Sequence, residues 1–151
     1  MPDLKARLHD DLTAAMKSRD ELTTATLRMA LTAVTNEEVA GKQARELEDD
    51  EVLKVLAREA KKRKEAAEAF DAADRAELAQ RERDEHAVLE RYLPSQLDDA
   101  ELSAIVASAV AAAGATSMSQ MGAVMKLATV QAAGRADGKR ISDEVRRQLS
   151  G

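Results

Sequence analysis

The chain has 151 residues, 23 Lys and Arg against 28 Asp and Glu, and no Cys. That length holds one domain or two small ones, and the missing thiols exclude disulfide frameworks, Cys-ligated metal or iron–sulfur sites and thiol catalysis. With 31 Ala but only two Ile, one Phe, one Tyr and no Trp, the chain is too poor in β-branched and aromatic residues for a sheet sandwich, so an all-α fold with thin helix-on-helix cores is expected.

In chain order, Asp3 suits the N-cap of a first helix whose Leu4, Leu8, Leu12 and Ala15 recur three or four residues apart. A second helix is expected from about Asp20 to Ala40, with Leu27, Leu31 and Val34 inward. Gly41 would end it in the left-handed conformation open to glycine. After the polar link 42–48, a third helix starts at Asp49 or Asp50, whose carboxylates favour a helix N-terminus, and continues to about Ala72. A fourth spans roughly Asp74 to Tyr92, with Leu78, Leu89 and Leu93 on one side. Helices three and four therefore read as a long antiparallel hairpin. Pro94, within Tyr92-Leu93-Pro94-Ser95-Gln96-Leu97, disfavours helix at the residue before it and marks a boundary. Beyond it, Asp98 and Glu101 form a capping box for a helix with Leu102, Ile105, Val106, Ala109 and Val110 on one face, ended by Gly114. Ser117 or Ser119 caps the next, which buries Met121, Val124, Met125 and Ala128 before Gly134 closes it. Asp137 caps a last helix carrying Ile141, Val145 and Leu149 at spacing four.

Charge draws the same division. Residues 1–93 carry 17 basic and 22 acidic side chains, net −5, whereas residues 94–151 carry six of each. The expected organisation is an N-terminal helical hairpin module, 1–93, followed by a small three-helix tail, 94–151. No run approaches the about 18 apolar residues of a membrane span, and Met1–Asp11 lacks the apolar centre of a secretory signal. A cytoplasmic protein without membrane contact is expected.

Few residues point to catalysis. There is no Gly-x-Ser-x-Gly elbow, no phosphate-binding Gly-Lys loop and no dinucleotide fingerprint, and no cofactor is expected. His9 lies in a polar stretch and reads as a surface histidine. Glu82, Glu85 and His86 share one helix side at spacings of three and four, as a carboxylate metal site requires, but no matching partner set exists, so an ion-paired surface is expected and no metal. In the third helix, Val52, Leu56, Ala60, Ala67 and Phe70 form the apolar face at about 100° per residue. Arg63 projects into that face with Glu59 one turn earlier. A guanidinium there needs a partner, which Glu59, Glu82 or Glu85 can supply; the pair fixes helix register, or the cation meets an anion from outside. On the opposite side Lys54, Arg58, Lys61 and Lys62 form the densest positive patch. This row fits a polyanion, or else a solvated face balanced by Lys61–Glu65 and Lys64–Glu68 pairs. No aromatic residue in it can stack single-stranded bases. Near the end, Gly134-Arg135-Ala136-Asp137-Gly138-Lys139 combines a helix start with flanking cations, the ingredients of an anion site.

Met121-Gly122-Ala123-Val124-Met125-Lys126, then Gly134–Lys139 and the closing amphipathic helix, resemble the tail domain of the GatB/YqeY family. Arg58-Glu59-Ala60-Lys61-Lys62-Arg63-Lys64-Glu65 and Glu90-Arg91-Tyr92-Leu93-Pro94-Ser95-Gln96-Leu97 resemble its stand-alone YqeY-like members. The resemblance covers nearly the whole chain in order and spacing. It implies a link to tRNA, because the related tail of the B subunit of the glutamine-dependent tRNA amidotransferase helps hold tRNA, and similar domains are fused to a glutaminyl-tRNA synthetase. The family's label as a carbon–nitrogen ligase with glutamine as amido-N-donor comes from that amidotransferase. Its chemistry lies in other domains and subunits that nothing here resembles, so no chemical step is expected from this chain alone. Lys126, Arg135 and Lys139 match the basic positions of the tail motif and carry over as tRNA-backbone contacts; Arg140 joins them by proximity. The expectation is a tRNA-binding accessory module. The alternative is a protein–protein adaptor built on the hairpin, with a translation-related partner.

Overall fold

A computed structural model describes residues 3–150, and among these every regular element is helical. The chain divides into two compact units, Met1–Leu93 and Pro94–Gly151. Among the described residues, no single helix is long and apolar enough to cross a membrane.

The first unit holds α1 (Asp3–Ser18), α2 (Glu21–Glu38), α3 (Asp49–Ala72) and α4 (Ala76–Glu90). Its core gathers the apolar stripes of all four: Leu8, Leu27, Ala30, Leu31, Val34, Val52, Val55, Leu56, Ala60, Val88 and Leu89 are buried together. Leu4 and Leu12 of α1 are half-buried against the same cluster. The first turn of α1 is tied to α3, because the Leu4 amide donates to Asp49 Oδ1 at 3.0 Å. Asp3 is already helical and exposed, so the cap that meets Leu4 comes from a distant helix. Asp20 caps α2 by accepting from the Thr23 amide at 3.1 Å and the Thr23 hydroxyl at 2.7 Å.

Two boundaries and one buried position differ from the sequence reading. Helix α2 ends at Glu38, and Gly41 is not among the glycines of positive φ. The reason is tertiary: Glu38 accepts from Lys5 Nζ of α1 at 2.8 Å and from the Leu47 amide at 3.1 Å, which turns the link inward and seats Leu47 in the core. Helix α4 starts at Ala76, because Asp74 takes the left-handed conformation (φ 61°) in the turn Ala73–Arg75 where the chain reverses. A short polar side chain tolerates that conformation better than most. Leu78 is 40% exposed, against expectation, while Ala79 is fully buried. Buried positions in this half of α3 and α4 are the small Ala67 and Ala79, which let two helices approach closely and leave a Leu outside.

The second unit holds α5 (Asp99–Ala113), a 3₁₀ turn (Met118–Gln120), α6 (Met121–Ala132) and α7 (Gly138–Ser150). The expected faces form its core: Leu102, Val106, Ala109, Val124, Ala128, Ile141 and Val145 are buried, with Ile105, Val110, Met121, Met125 and Leu149 packed around them. The Asp98/Glu101 capping box is present, and Gly114 ends α5 in the left-handed conformation (φ 61°). After α6, Ala133 (φ 48°) and Gly134 (φ 79°) are left-handed in succession, so the reversal begins one residue before the glycine.

Candidate functional site

The charged face inside the first unit is a continuous network. Arg63, only 11% exposed at its side chain, donates from Nη1 to Glu59 Oε1 at 3.0 Å. Its Nε lies 3.5 Å from Glu85 Oε2 across the α3–α4 interface, without hydrogen-bond geometry. Its Nη2 reaches Met29 Sδ of α2 at 3.4 Å. Glu59 also accepts from Lys62 at 2.9 Å, and Glu85 from Arg81 Nε at 3.0 Å. Arg81 closes the network by a bidentate pair with Glu21 of α2, at 2.9 and 3.0 Å. These bonds to two carboxylates hold the Arg81 guanidinium above its ordinary range. Of the three candidate partners for Arg63, Glu59 and Glu85 are used. Glu82 stands aside, its carboxyl pushed up first by burial and then by the Glu85 charge. His86 leans toward Glu90, with Nδ1 3.7 Å from Oε1, and His9 is exposed.

A second polar anchor escaped the sequence reading. Tyr92 is buried at the end of α4, its hydroxyl donating to Asp11 Oδ2 at 2.5 Å and its ring 4.6 Å below the Arg7 guanidinium. Burial first, then the Asp11 bond and charge, hold the phenol above its ordinary range. The Tyr92-Leu93-Pro94 motif thus fastens the end of the unit to α1. Partners 81 residues apart leave no periodic trace in a sequence.

The basic row on α3 separates into distinct environments. Lys54, Arg58 and Lys62 line an open groove between α2 and α3, while Lys61 lies outside its lining. Arg58 Nη2 meets Glu37 Oε2 of α2 at 3.3 Å. The pairs Lys61–Glu65 and Lys64–Glu68 expected within α3 are not among the ion pairs of the described residues; all four side chains are exposed, where holding two long chains together gains little.

In the second unit the tail cations also differ from one another. Lys126 is exposed on α6. Lys139 is 84% exposed, with Asp143 at 3.5 Å. Arg135 is occupied: its Nε donates to the Ser95 carbonyl at 2.8 Å and its Nη2 meets Glu101 at 3.5 Å. Its own carbonyl accepts from the Leu97 amide at 2.7 Å, so Arg135 clasps 95–97 to the α6–α7 corner. Arg140 pairs with Asp99 at 3.2 Å. At the start of α7, Asp137 Oδ1 already accepts from the Arg140 amide at 2.9 Å, so a carboxylate holds one of the amides an outside anion would need. Helix α7 is further fixed by Glu144, whose carboxyl is held down at about 2 by Arg147 first and then Gln148.

The described residues thus form two compact, all-helical units. The model of the family described as Yqey-like protein matches residues 5–149. The chain belongs to that family, which is related to the C-terminal domain of GatB. No curated protein matches it.

Proposed function

We propose that the protein is a tRNA-binding accessory module with no chemical step of its own. Membership of a family related to the C-terminal domain of GatB, over residues 5–149, carries this reading. The solvent-exposed ammonium groups of Lys126 and Lys139 are suited to phosphate contacts. Arg135 and Arg140, spent on Ser95, Glu101 and Asp99, hold the surface that presents them. The test is direct binding of fluorescently labelled tRNA to the full chain at low salt. Saturable binding that weakens in Lys126→Ala/Lys139→Ala and survives in Arg135→Lys supports the reading. No binding by the native chain moves the assignment to the second reading, a protein–protein adaptor, which the excess of acidic side chains in residues 1–93 favours.

A further inference from the structure

One contact in the charged network of the first unit is chemically mismatched. Arg63 donates from Nη1 to the Glu59 carboxylate and carbonyl, at 3.0 and 3.2 Å, while its Nε has no hydrogen-bond partner among the described residues. Among the same residues Nη2 reaches one acceptor, the Met29 sulfur at 3.4 Å. A thioether accepts weakly, so a guanidinium whose side chain is only 11% exposed is left short of hydrogen bonds. Met29 itself is 37% exposed, which opens it to a small dissolved oxidant. The other exposed methionines differ. Met16 meets Arg28 at 3.7 Å, but that arginine lies in water, and Met118 belongs to the second unit.

We propose that Met29 is an oxidative modification site, at which a peroxide fastens α2 more tightly to α3 through Arg63. The sulfur attacks one oxygen of hydrogen peroxide, an S–O bond forms and the O–O bond breaks. The other oxygen leaves as water with both protons; sulfur is oxidised by two electrons and the peroxide is reduced. The sulfoxide oxygen is a strong acceptor, and the rotatable bonds of the methionine side chain let it turn to Nη2. A weak N–H···S contact thereby becomes a charge-assisted N–H···O bond. Methionine oxidation commonly disrupts a core, because it sets a polar group among apolar ones. At Met29 the sign reverses: the new oxygen lands on a cation short of acceptors, at a position already open to water. Met16 gains little, since water already serves the exposed Arg28. The inference stands independently of tRNA binding by the tail.

Treating the full chain with hydrogen peroxide tests it. Peptide mass gives the oxidation at each methionine, and urea unfolding is followed through Tyr92, the sole tyrosine, buried in the same unit as Met29. Oxidation at Met29 should raise the folding equilibrium constant at least about fivefold, read as a higher urea midpoint at unchanged slope. The Arg63 guanidinium protons should exchange more slowly with water in nuclear magnetic resonance spectra. The gain should persist in Met16→Leu and vanish in Met29→Leu, a swap of similar volume at an exposed position that keeps the fold. Met29 sulfoxide without a rise in midpoint would overturn the proposal. So would a rise that persists in Met29→Leu, or a Met29 that stays reduced while Met118 reacts.

Discussion

Removing the Arg63 guanidinium leaves Glu59 and Glu85, with side chains 11% and 10% exposed, without the cation they share. Breaking a buried pair usually costs about 3–5 kcal/mol, but here Lys62 and Arg81 remain beside the two carboxylates, so Arg63→Met should cost about 2–3 kcal/mol in urea unfolding. Adding Glu59→Gln and Glu85→Gln to it should recover part of that loss; a cost under about 0.5 kcal/mol for Arg63→Met would show that the network is ornamental. Tyr92 offers a cleaner optical readout, being the sole tyrosine in a chain without Trp. Its phenol stays protonated in the fold beyond the ordinary tyrosine range, so the unfolded chain gives up that proton first. Stability from this group is therefore whole below about pH 10 and drains as pH rises above it. Alkaline titration near 295 nm should show little phenolate until the protein unfolds; ionisation at an ordinary pH with structure intact would contradict the Asp11 bond.

Helix ends carry the next set of consequences. Gly114 is left-handed with nothing within 4 Å of an added Cβ, so Gly114→Ala should destabilise by about 1 kcal/mol through backbone strain alone. Gly122 sits inside α6 with equal room, and Gly122→Ala should stabilise by about 0.5–1 kcal/mol through helix propensity. Equal effects of the two in thermal melts would contradict this assignment of the glycines. Glu144 braces α7 from within, through Arg147 and Gln148 of the same helix, with a carboxyl held near 2, below its unfolded value. Its contribution is present above about pH 4.5 and is lost as pH falls toward 2, so Glu144→Gln should flatten the acid limb of the stability curve. Periodicity was enough to read the helices and their buried faces, because spacing of three or four is a local property. Gly41 and Leu78 were misread because Glu38–Lys5 anchoring and Ala67/Ala79 close packing are tertiary facts. The occupied state of Arg135 was equally hidden: its partner Ser95 lies 40 residues away, whereas the amide that donates to the capping carboxylate of Asp137 lies only three residues on and was legible.

At the scale of the whole molecule, two separately cored helical units and a sequence without cysteine underlie the proposed accessory role. The purified protein should release no ammonia from glutamine, and release abolished by one substitution would reveal a nucleophile this reading lacks. The central claim is that exposed lysines of the 94–151 unit grip tRNA phosphates. Affinity of the full chain for tRNA, measured by fluorescence anisotropy across a salt series, tests it most directly. The account predicts a linear fall of log affinity with log salt, and a slope flatter by roughly 1.4–1.8 units in Lys126→Ala/Lys139→Ala, at about 0.7–0.9 per lost phosphate contact. Native and variant chains with the same slope and affinity, or no binding even at low salt, would contradict it.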